Sequence, residues 1–254
     1  MKRQMNRLFH EDGRILIVAM DHTSFLNEPV DGLVRYGETI RATVAAGADA
    51  YLSPIGSVIN YADDYGSAAV IASVDPRGKF GERAVDRALA AGADAVKTMT
   101  YPFGDEDLIN EAAALSARAS EVGMPFLAEP VPGGFSRSDM RTPEIIAAGA
   151  RVSAETGADF VKTFYTGDPE TMKLVVDYAK VPVVMLGGHA KDDIRDLYQE
   201  VHDAVNIAGV AGVAIGTNIW TSDNPGAVVR GLAAVIHEGA SVDEAVEASN
   251  DYKA

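Results

Sequence analysis

The stretch Ala-Gly-Ala-Asp-Ala occupies residues 46–50 and recurs unchanged at residues 91–95, and the similar stretch Thr-Gly-Ala-Asp-Phe occupies residues 156–160. A looser copy, Gly-Val-Ala-Gly-Val, occupies residues 209–213. In each copy a segment of helical composition precedes the first glycine, and an apolar run follows within a few residues. Glycine commonly ends a helix in a left-handed conformation. The repeat therefore predicts a helix-to-strand turn that is used several times along the chain.

Eight short apolar or β-branched runs occur between longer segments such as 106–121 and 143–155, which are rich in Ala, Glu, Leu and Arg. Alternating strands and helices predict a parallel sheet. Eight such units in a chain of about 250 residues favour a closed (β/α)8 barrel, the TIM barrel. The eight predicted strands are 15–20, 50–53, 69–74, 95–99, 126–129, 160–164, 183–186 and 213–216.

The main alternative is an open doubly wound sheet, which also alternates strands and helices. Such a sheet usually has about five or six strands and often carries a glycine-rich loop after the first one. Here the first strand ends in Met20-Asp21-His22-Thr23, which has no such loop. No low-complexity linker interrupts the series, so we expect residues 1–254 to form a single α/β domain.

The charge and hydropathy of the chain exclude several classes of partner. The sequence has 37 acidic and 22 basic residues, a formal net charge of -15 that would repel a nucleic-acid backbone. Its longest apolar stretches, 15–20 and 181–186, are far shorter than the roughly 20 residues of a membrane span. Residues 1–14 show no apolar core of a secretory signal. We expect no nucleic-acid or membrane partner and a cytoplasmic location.

Cysteine is absent from the sequence. This excludes disulfides, thiolate metal ligands and thiol nucleophiles together. A nucleophile would have to be a lysine, a hydroxyl group or a carboxylate.

Four predicted strands carry an ionisable residue at or near their carboxyl ends, where the active site of a (β/α)8 barrel is built. These residues are Asp21, Lys97, Glu129 and Lys162. Both lysines stand in the context Val-Lys-Thr, and side-chain alternation allows both to point into the barrel. The alternative is that the lysines are solvated side chains and that Asp21 caps a turn or helix.

A buried lysine becomes a nucleophile near neutral pH when desolvation or a neighbouring cation lowers its pKa. We expect Lys97 to keep Lys162 neutral in this way and to help orient Glu129, and a carboxylate such as Glu129 or Asp21 to move protons. Two glycine-bearing loops follow strands 7 and 8, where barrels of this type frequently bind phosphate through backbone N–H groups. The predicted phosphate-binding residues are Gly187, Gly188, His189, Gly216, Thr217 and Asn218, although ordinary tight turns would also use such glycines.

No two of the five histidines have the short spacing typical of metal ligands. His22 and His189, with Asp21 and Glu129, fall at strand ends and leave a divalent-metal site as a lesser alternative. We expect neither a metal nor another cofactor.

These segments resemble the DeoC/fructose-bisphosphate aldolase class Ia (DhnA-type) family of Schiff-base aldolases over nearly the whole chain. The most specific resemblance is Gly-Ala-Asp-Phe-Val-Lys at 157–162, followed by Tyr-Thr-Gly-Asp-Pro at 165–169. Ala-Met-Asp-His at 19–22 resembles the first strand of the family, and 184–188 and 214–220 resemble its two phosphate loops. The resemblance implies that Lys162 forms the Schiff base and that Asp21 is an active-site acid.

Two departures from the family pattern bear on the substrate. Glu129 stands where archaeal-type fructose-bisphosphate aldolases have a tyrosine, and together with Lys97 it looks more like the tagatose-bisphosphate and sulfofructose-phosphate aldolases. Residues 216–218 read Gly-Thr-Asn where many relatives have Gly-Arg-Asn, which removes a phosphate-binding cation. Three cations are candidates to replace it: Lys191, Arg137 and Arg141. Fructose 1,6-bisphosphate is therefore not the expected natural substrate.

The sequence thus predicts a class I aldolase that cleaves or forms a C–C bond in a small phosphorylated ketose. The products would be dihydroxyacetone phosphate, or a close analogue, and an aldehyde. One alternative keeps the lysine but uses it for thiolase-type acyl transfer, transaldol chemistry or decarboxylation. Another is a non-catalytic sugar-phosphate sensor. The family resemblance also implies a homo-oligomer.

Overall fold

The computed structural model describes residues 4–26, 28–75, 83–104 and 106–253. Eight parallel strands form a closed barrel in which β1 pairs with both β2 and β8. The strands are β1 (Ile15–Ala19), β2 (Ala50–Pro54), β3 (Ala69–Ser73), β4 (Ala95–Thr100), β5 (Phe126–Pro130), β6 (Phe160–Thr163), β7 (Val183–Leu186) and β8 (Gly212–Ile215). The predicted (β/α)8 barrel is confirmed.

Helices connect the strands and surround the barrel. The α-helices are α1 (Met5–Leu8), α2 (His22–Leu26), α3 (Tyr36–Ala45), α4 (Ile55–Asn60), α5 (Ala84–Ala90), α6 (Glu106–Glu121), α7 (Pro143–Glu155), α8 (Pro169–Ala179), α9 (Ile194–His202), α10 (Thr217–Trp220), α11 (Pro225–His237) and α12 (Val242–Asp251). Short 3-10 helices span Asp31–Leu33 and Ser138–Met140, and a π-helical turn spans Asp203–Ile207. Within the described ranges, no helix has both the length and the apolar character needed to cross a bilayer.

The predicted strands all form, with small differences at their ends. β1 ends at Ala19, one residue before the predicted end, and β8 begins one residue earlier than predicted. The two helices expected at 106–121 and 143–155 have those bounds in the structure. Strands that are covered on both faces read as nearly continuous apolar runs, which is why the sequence located them well.

The repeated motif has a structural role at the N-terminal end of the barrel. In the three copies that contain an aspartate, its side chain accepts a hydrogen bond from a backbone N–H of the preceding strand. Asp49 accepts from Leu16 at 2.6 Å, Asp94 from Val70 at 2.9 Å and Asp159 from Phe126 at 2.8 Å. The glycine two residues before each aspartate has a positive φ, +104°, +82° and +105° in turn. The motif therefore ends a helix and begins the next strand. Its aspartate joins the start of that strand to the preceding strand by a hydrogen bond.

Two apolar layers make up the core. The outer layer lies between the barrel and the helices, and the inner layer fills the barrel itself. The inner layer contains Ile15, Ile17, Ala19, Ala50, Leu52, Ala69, Ile71, Ala95, Leu127, Phe160, Val184 and Ala214. At its N-terminal end, Met5 and Leu8 of α1 join this layer, and the ring of Phe9 lies 5.5 Å from that of Phe160. The ionisable strand residues lie toward the other end of the barrel.

Candidate active site

Asp21, Lys97, Glu129 and Lys162 meet at the carboxyl ends of the strands and form what we call the charged cluster. The Nζ atom of Lys97 lies 3.0 Å from Oδ2 of Asp21 and 2.6 Å from Oε2 of Glu129. The Nζ atom of Lys162 lies 2.8 Å from Oε1 of Glu129. Glu129 therefore bridges the two lysines, and all four residues that the sequence singled out are brought together.

The alternation of side chains along each strand places the cluster inside the barrel. Ala95 and Phe160 belong to the inner apolar layer, and Lys97 and Lys162 follow them by two residues on β4 and β6. Each of the four charged residues is at most 5% exposed. Burial of an isolated charge is costly, and here each carboxylate lies within ion-pair distance of a lysine amine.

The pKa values of the cluster reflect this pairing. Burial alone would raise the pKa of Asp21, but Lys97 and Lys162 hold it below its usual range. For Glu129, burial again acts to raise the pKa, and Lys162 and then Lys97 lower it. Burial would lower the pKa of Lys97, but Asp21 and Glu129 raise it above its ordinary value. Both carboxyl groups are therefore ionised near neutral pH, and Lys97 is a cation.

Ser73 is a further member of the site that the sequence analysis missed. Its hydroxyl donates a hydrogen bond of 2.7 Å to Oδ2 of Asp21, the oxygen that also faces Lys97. The other oxygen of Asp21, Oδ1, is buried and has no hydrogen-bond partner among the described residues. Ser73 is a polar but uncharged residue at the end of β3, and a rule that included polar residues without a charge would have found it.

The two glycine-bearing loops are joined by the side chain of Asn218. Its Oδ1 accepts the N–H of Lys191 at 2.7 Å, and its Nδ2 donates to the carbonyl of His189 at 3.2 Å. Gly216 packs so closely on the end of β1 that a Cβ there would lie 2.4 Å from the carbonyl oxygen of Ala19. The predicted phosphate-binding residues thus lie in adjacent loops beside β1, and their contact with a phosphate stays a prediction.

His22 lies beside the cluster on α2, with its ring 5.4 Å from that of Trp220. Burial lowers the pKa of His22, although Asp21 partly opposes that effect. Over the described part of the chain, no three histidine or carboxylate side chains are arranged to hold a metal ion.

A pair of aromatic rings crosses the mouth of the barrel above the cluster. Phe25 on α2 and Phe135 in the loop after β5 are stacked nearly parallel, with centroids 6.1 Å apart. We call this pair the aromatic bridge; it joins loops on opposite sides of an eight-stranded barrel. Nζ of Lys97 lies 5.9 Å from the Phe25 ring centroid. A cavity of about 820 Å³ opens beside the bridge over β2 to β4, with Ser73 and Lys97 among its lining residues.

The three cations considered for phosphate binding differ in their surroundings. Lys191 pairs with Glu200 at 2.7 Å, and Arg137 pairs with Asp139 at 2.8 Å. The guanidinium of Arg141 instead lies over the ring of Phe164, 4.5 Å from its centroid.

The known proteins that this chain resembles include a family of aldolases, two synthases and an aldolase of known structure. The sequence model of a family described as DeoC/LacD family aldolase matches residues 15–222. The 2-amino-3,7-dideoxy-D-threo-hept-6-ulosonate synthase of Halobacterium salinarum is 33% identical over 253 residues, covering 96% of this chain and 94% of that protein. The 2-amino-4,5-dihydroxy-6-oxo-7-(phosphonooxy)heptanoate synthase of Streptomyces griseus is 30% identical and covers 92% of this chain and 89% of that protein.

A similar solved structure is that of an archaeal fructose-1,6-bisphosphate aldolase with its catalytic lysine covalently bound to the carbinolamine intermediate of the substrate. It is 29% identical, has a TM-score of 0.81 and covers 92% of this chain and 98% of that chain. The family match at 15–222 extends over all eight strands and the whole charged cluster. The chain therefore belongs to the DeoC/LacD family of aldolases.

Proposed function

We propose that Lys162 is the Schiff-base nucleophile with which this aldolase cleaves and forms a C–C bond in a small phosphorylated ketose. The observation that carries the assignment is the position of the Lys162 amine. It is buried at the carboxyl end of β6, 2.8 Å from a carboxylate oxygen of Glu129 that can take up and return its proton. Formation of a Schiff base needs such a proton carrier, because only the neutral amine of the lysine can attack the ketone carbonyl.

The first half of the reaction forms the iminium. The ammonium of Lys162 passes a proton to Oε1 of Glu129, and the free amine adds to the ketone carbonyl to give a carbinolamine. Protonated Glu129 returns a proton to the carbinolamine hydroxyl, which leaves as water. The resulting iminium on Lys162 can accept the electron pair of the bond that breaks.

The second half breaks the C–C bond. Ionised Glu129 takes the proton of the hydroxyl group next to that bond, and the oxygen becomes the carbonyl of the departing aldehyde. The bonding electrons move to the iminium nitrogen and leave an enamine on Lys162. Protonation of the enamine carbon and addition of water then release the ketone product. Aldol addition is the reverse of these steps.

The contacts of Lys97 support one of the two roles that the sequence suggested for it, the orientation of Glu129. The sequence suggested that its charge keeps Lys162 neutral, but that charge is shared between Asp21 and Glu129 at 3.0 and 2.6 Å. Its effect on the more distant amine is thereby weakened. We assign Lys97 to holding Glu129 in place and keeping it ionised between proton transfers.

Family relatives and local geometry support a phosphorylated substrate. The Streptomyces griseus relative is named for a product with a phosphonooxy group. The loops 187–189 and 216–218 bring glycines together at the end of the barrel that carries the cluster, and loops after the seventh and eighth strands are a frequent phosphate site in such barrels. We propose that Gly187, Gly188, His189, Gly216, Thr217 and Asn218 surround the phosphate.

We further propose that residues 1–254 act as one domain, in the cytoplasm and as a homo-oligomer. The homo-oligomer is what the family resemblance implies. Light scattering after size exclusion would measure the oligomeric state, and a monomeric mass would contradict this part of the proposal.

Borohydride trapping tests the central assignment. With dihydroxyacetone phosphate and borohydride, the wild-type protein should acquire a stable adduct on the peptide that contains Lys162, identified by mass spectrometry. Lys162→Met should lose the adduct and the cleavage activity, whereas Lys173→Met, which changes an ion-paired lysine on α8, should retain both. An adduct on Lys97 alone would mean that the two lysines exchange roles. A chelator-sensitive activity with no adduct would sink the Schiff-base mechanism.

A further inference from the structure

Arg141 differs from the other cations near the mouth of the barrel. It lies in the loop between β5 and α7, where its Nη2 donates to the carbonyl oxygen of Phe135 at 3.2 Å. Its guanidinium carbon lies over the ring of Phe164, 4.5 Å from the ring centroid. Its Nε is buried and has no hydrogen-bond acceptor among the described residues. The side chain is thus held in one orientation by two contacts that leave its charge uncompensated.

Among the described residues Arg141 has no acidic partner, although acidic residues far outnumber basic ones in this chain. The chain has a net charge of -15, and many of its surface cations have acidic partners, as Arg137 and Lys191 do. In the described part of the chain, no carboxylate lies within ion-pair distance of Arg141. An aromatic face attracts a guanidinium but does not neutralise it. A buried N–H without an acceptor also costs free energy unless a ligand or water supplies one.

Arg141 contacts residues that follow two of the strands carrying the charged cluster. Phe164 follows β6 directly and lies two residues after Lys162, about 7 Å along the chain. Phe135 belongs to the aromatic bridge, which passes over Lys97. Arg141 therefore lies at the carboxyl ends of β5 and β6, the two strands that carry Glu129 and Lys162. The carboxylates of the cluster already pair with its own lysines, so the positive charge of Arg141 at this side of the mouth is available to a ligand.

We propose that Arg141 binds an anionic oxyacid group of the substrate, in addition to the phosphate assigned to residues 187–189 and 216–218, and so contributes to the preference of the enzyme for a phosphorylated ligand. The planar guanidinium suits two oxygens of a phosphate or sulfonate, and Nε is one of the donors that would be satisfied. The inference rests on the proposed aldolase function. The anionic group belongs either to the ketone half or to the aldehyde half of the substrate, and both sources share this chemistry.

Ligand-induced thermal stabilisation tests the proposal without requiring turnover. The ligands are dihydroxyacetone phosphate, glyceraldehyde 3-phosphate and the two unphosphorylated counterparts. In Arg141→Gln, the concentration of at least one phosphorylated ligand at half-saturation should rise about 10- to 100-fold. The unphosphorylated ligands should change by less than about twofold. The phosphorylated ligand that responds identifies the half of the substrate that Arg141 contacts.

Two variants serve as controls. Arg151→Gln removes a cation of the following helix, α7, that already has an acidic partner, and it should bind all four ligands as the wild type does. Arg141→Lys keeps the charge without the fork of donors and should lie between wild type and Arg141→Gln. The proposal is overturned if Arg141→Gln binds both phosphorylated ligands normally, or if the wild type does not distinguish them from their counterparts. Borohydride trapping on Lys162 succeeds or fails independently of these results.

Discussion

Asp21 uses its two carboxylate oxygens in different ways. Oδ2 accepts a hydrogen bond from Ser73 and faces the Lys97 ammonium, whereas Oδ1 is buried and unpaired among the described residues. A carboxylate fixed through one oxygen presents the other in a defined direction. We therefore expect Ser73 to act as a positioning residue, which orients Asp21 toward a hydroxyl group of the bound substrate.

Ser73→Ala should lower kcat by about tenfold, because the net value of one hydrogen bond to a charged group is about 1.5 kcal/mol or more. The Ser73 hydroxyl helps to lower the pKa of Asp21, so its removal should also move the acidic limb of the rate profile to higher pH. Cleavage rates measured across pH test both effects. Ser73→Thr keeps the hydroxyl and should restore the profile; an unchanged profile in Ser73→Ala would contradict the positioning role.

The variant Glu129→Gln distinguishes two roles of Glu129: proton transfer during cleavage, and neutralisation of the charges of Lys97 and Lys162. Glutamine keeps the size and most of the hydrogen bonding but cannot accept a proton, so single-turnover cleavage should fall by about 10²–10⁴-fold. Adduct formation on Lys162 should survive in part. If Glu129 served only as the counter-ion of Lys97 and Lys162, cleavage would remain near normal at a displaced pH optimum. Measurement of cleavage and trapping on the same samples distinguishes the two cases.

At the scale of the elements, the repeated aspartates hold the strands in register. Asp49, Asp94 and Asp159 each join the turn before an even-numbered strand to the odd-numbered strand before it. The fourth copy, at 209–213, has no aspartate, but it keeps a backbone bond that the other copies also make: the N–H of Ala211 donates to the carbonyl of Val183, as the N–H of Asp49 does to that of Leu16. The sequence repeat thus reflects a repeated requirement to satisfy a backbone N–H at the start of a strand.

Asp159→Ala should reduce the free energy of unfolding by about 1–3 kcal/mol, because it leaves the N–H of Phe126 without its charged acceptor. Asp159→Asn keeps an acceptor oxygen and should cost less. Denaturant titration measures both, with Asp177→Ala on the exposed face of α8 as a control that should stay within about 0.5 kcal/mol of wild type. Equal stabilities of the alanine variants at 159 and 177 would show that the strand contact contributes nothing.

The strands and the charged cluster could be predicted because each has a periodic signal in the sequence. Burial on both faces marks the strands, and alternation places Lys97 and Lys162 inside the barrel. Three features could not be predicted in this way: the aromatic bridge, the hydrogen bonds by which Asn218 joins the two loops, and the contacts of Arg141. They depend on how loops from different strands meet, and loops have no period that the sequence reveals.

At the scale of the whole molecule, the long helix α11, which comes after β8, is joined to the N-terminal segment. His237 ends α11, and its Nδ1 lies 2.8 Å from Asp12 in the segment before β1. Its Nε2 lies 3.0 Å from Asp49, which precedes β2 and also contacts His10. The Asp49 carboxylate thus connects α11, the N-terminal segment and β1 at the position where β8 closes on β1.

This connection should make stability depend on pH. Burial alone would lower the pKa of His237, but hydrogen bonds and charges from Asp49 and Asp12 raise it above its ordinary value near 6.5. The folded state therefore holds the His237 proton at pH values where the unfolded chain has lost it, and stability falls as pH rises through the folded-state pKa. The free energy of unfolding should decline from about pH 6.5 upward, and His237→Gln should remove that decline. His202→Gln, which changes a histidine on α9 beside Asp203, should retain it. Equal pH slopes for wild type and His237→Gln over this window would show that the closure of the barrel does not depend on the protonation of His237.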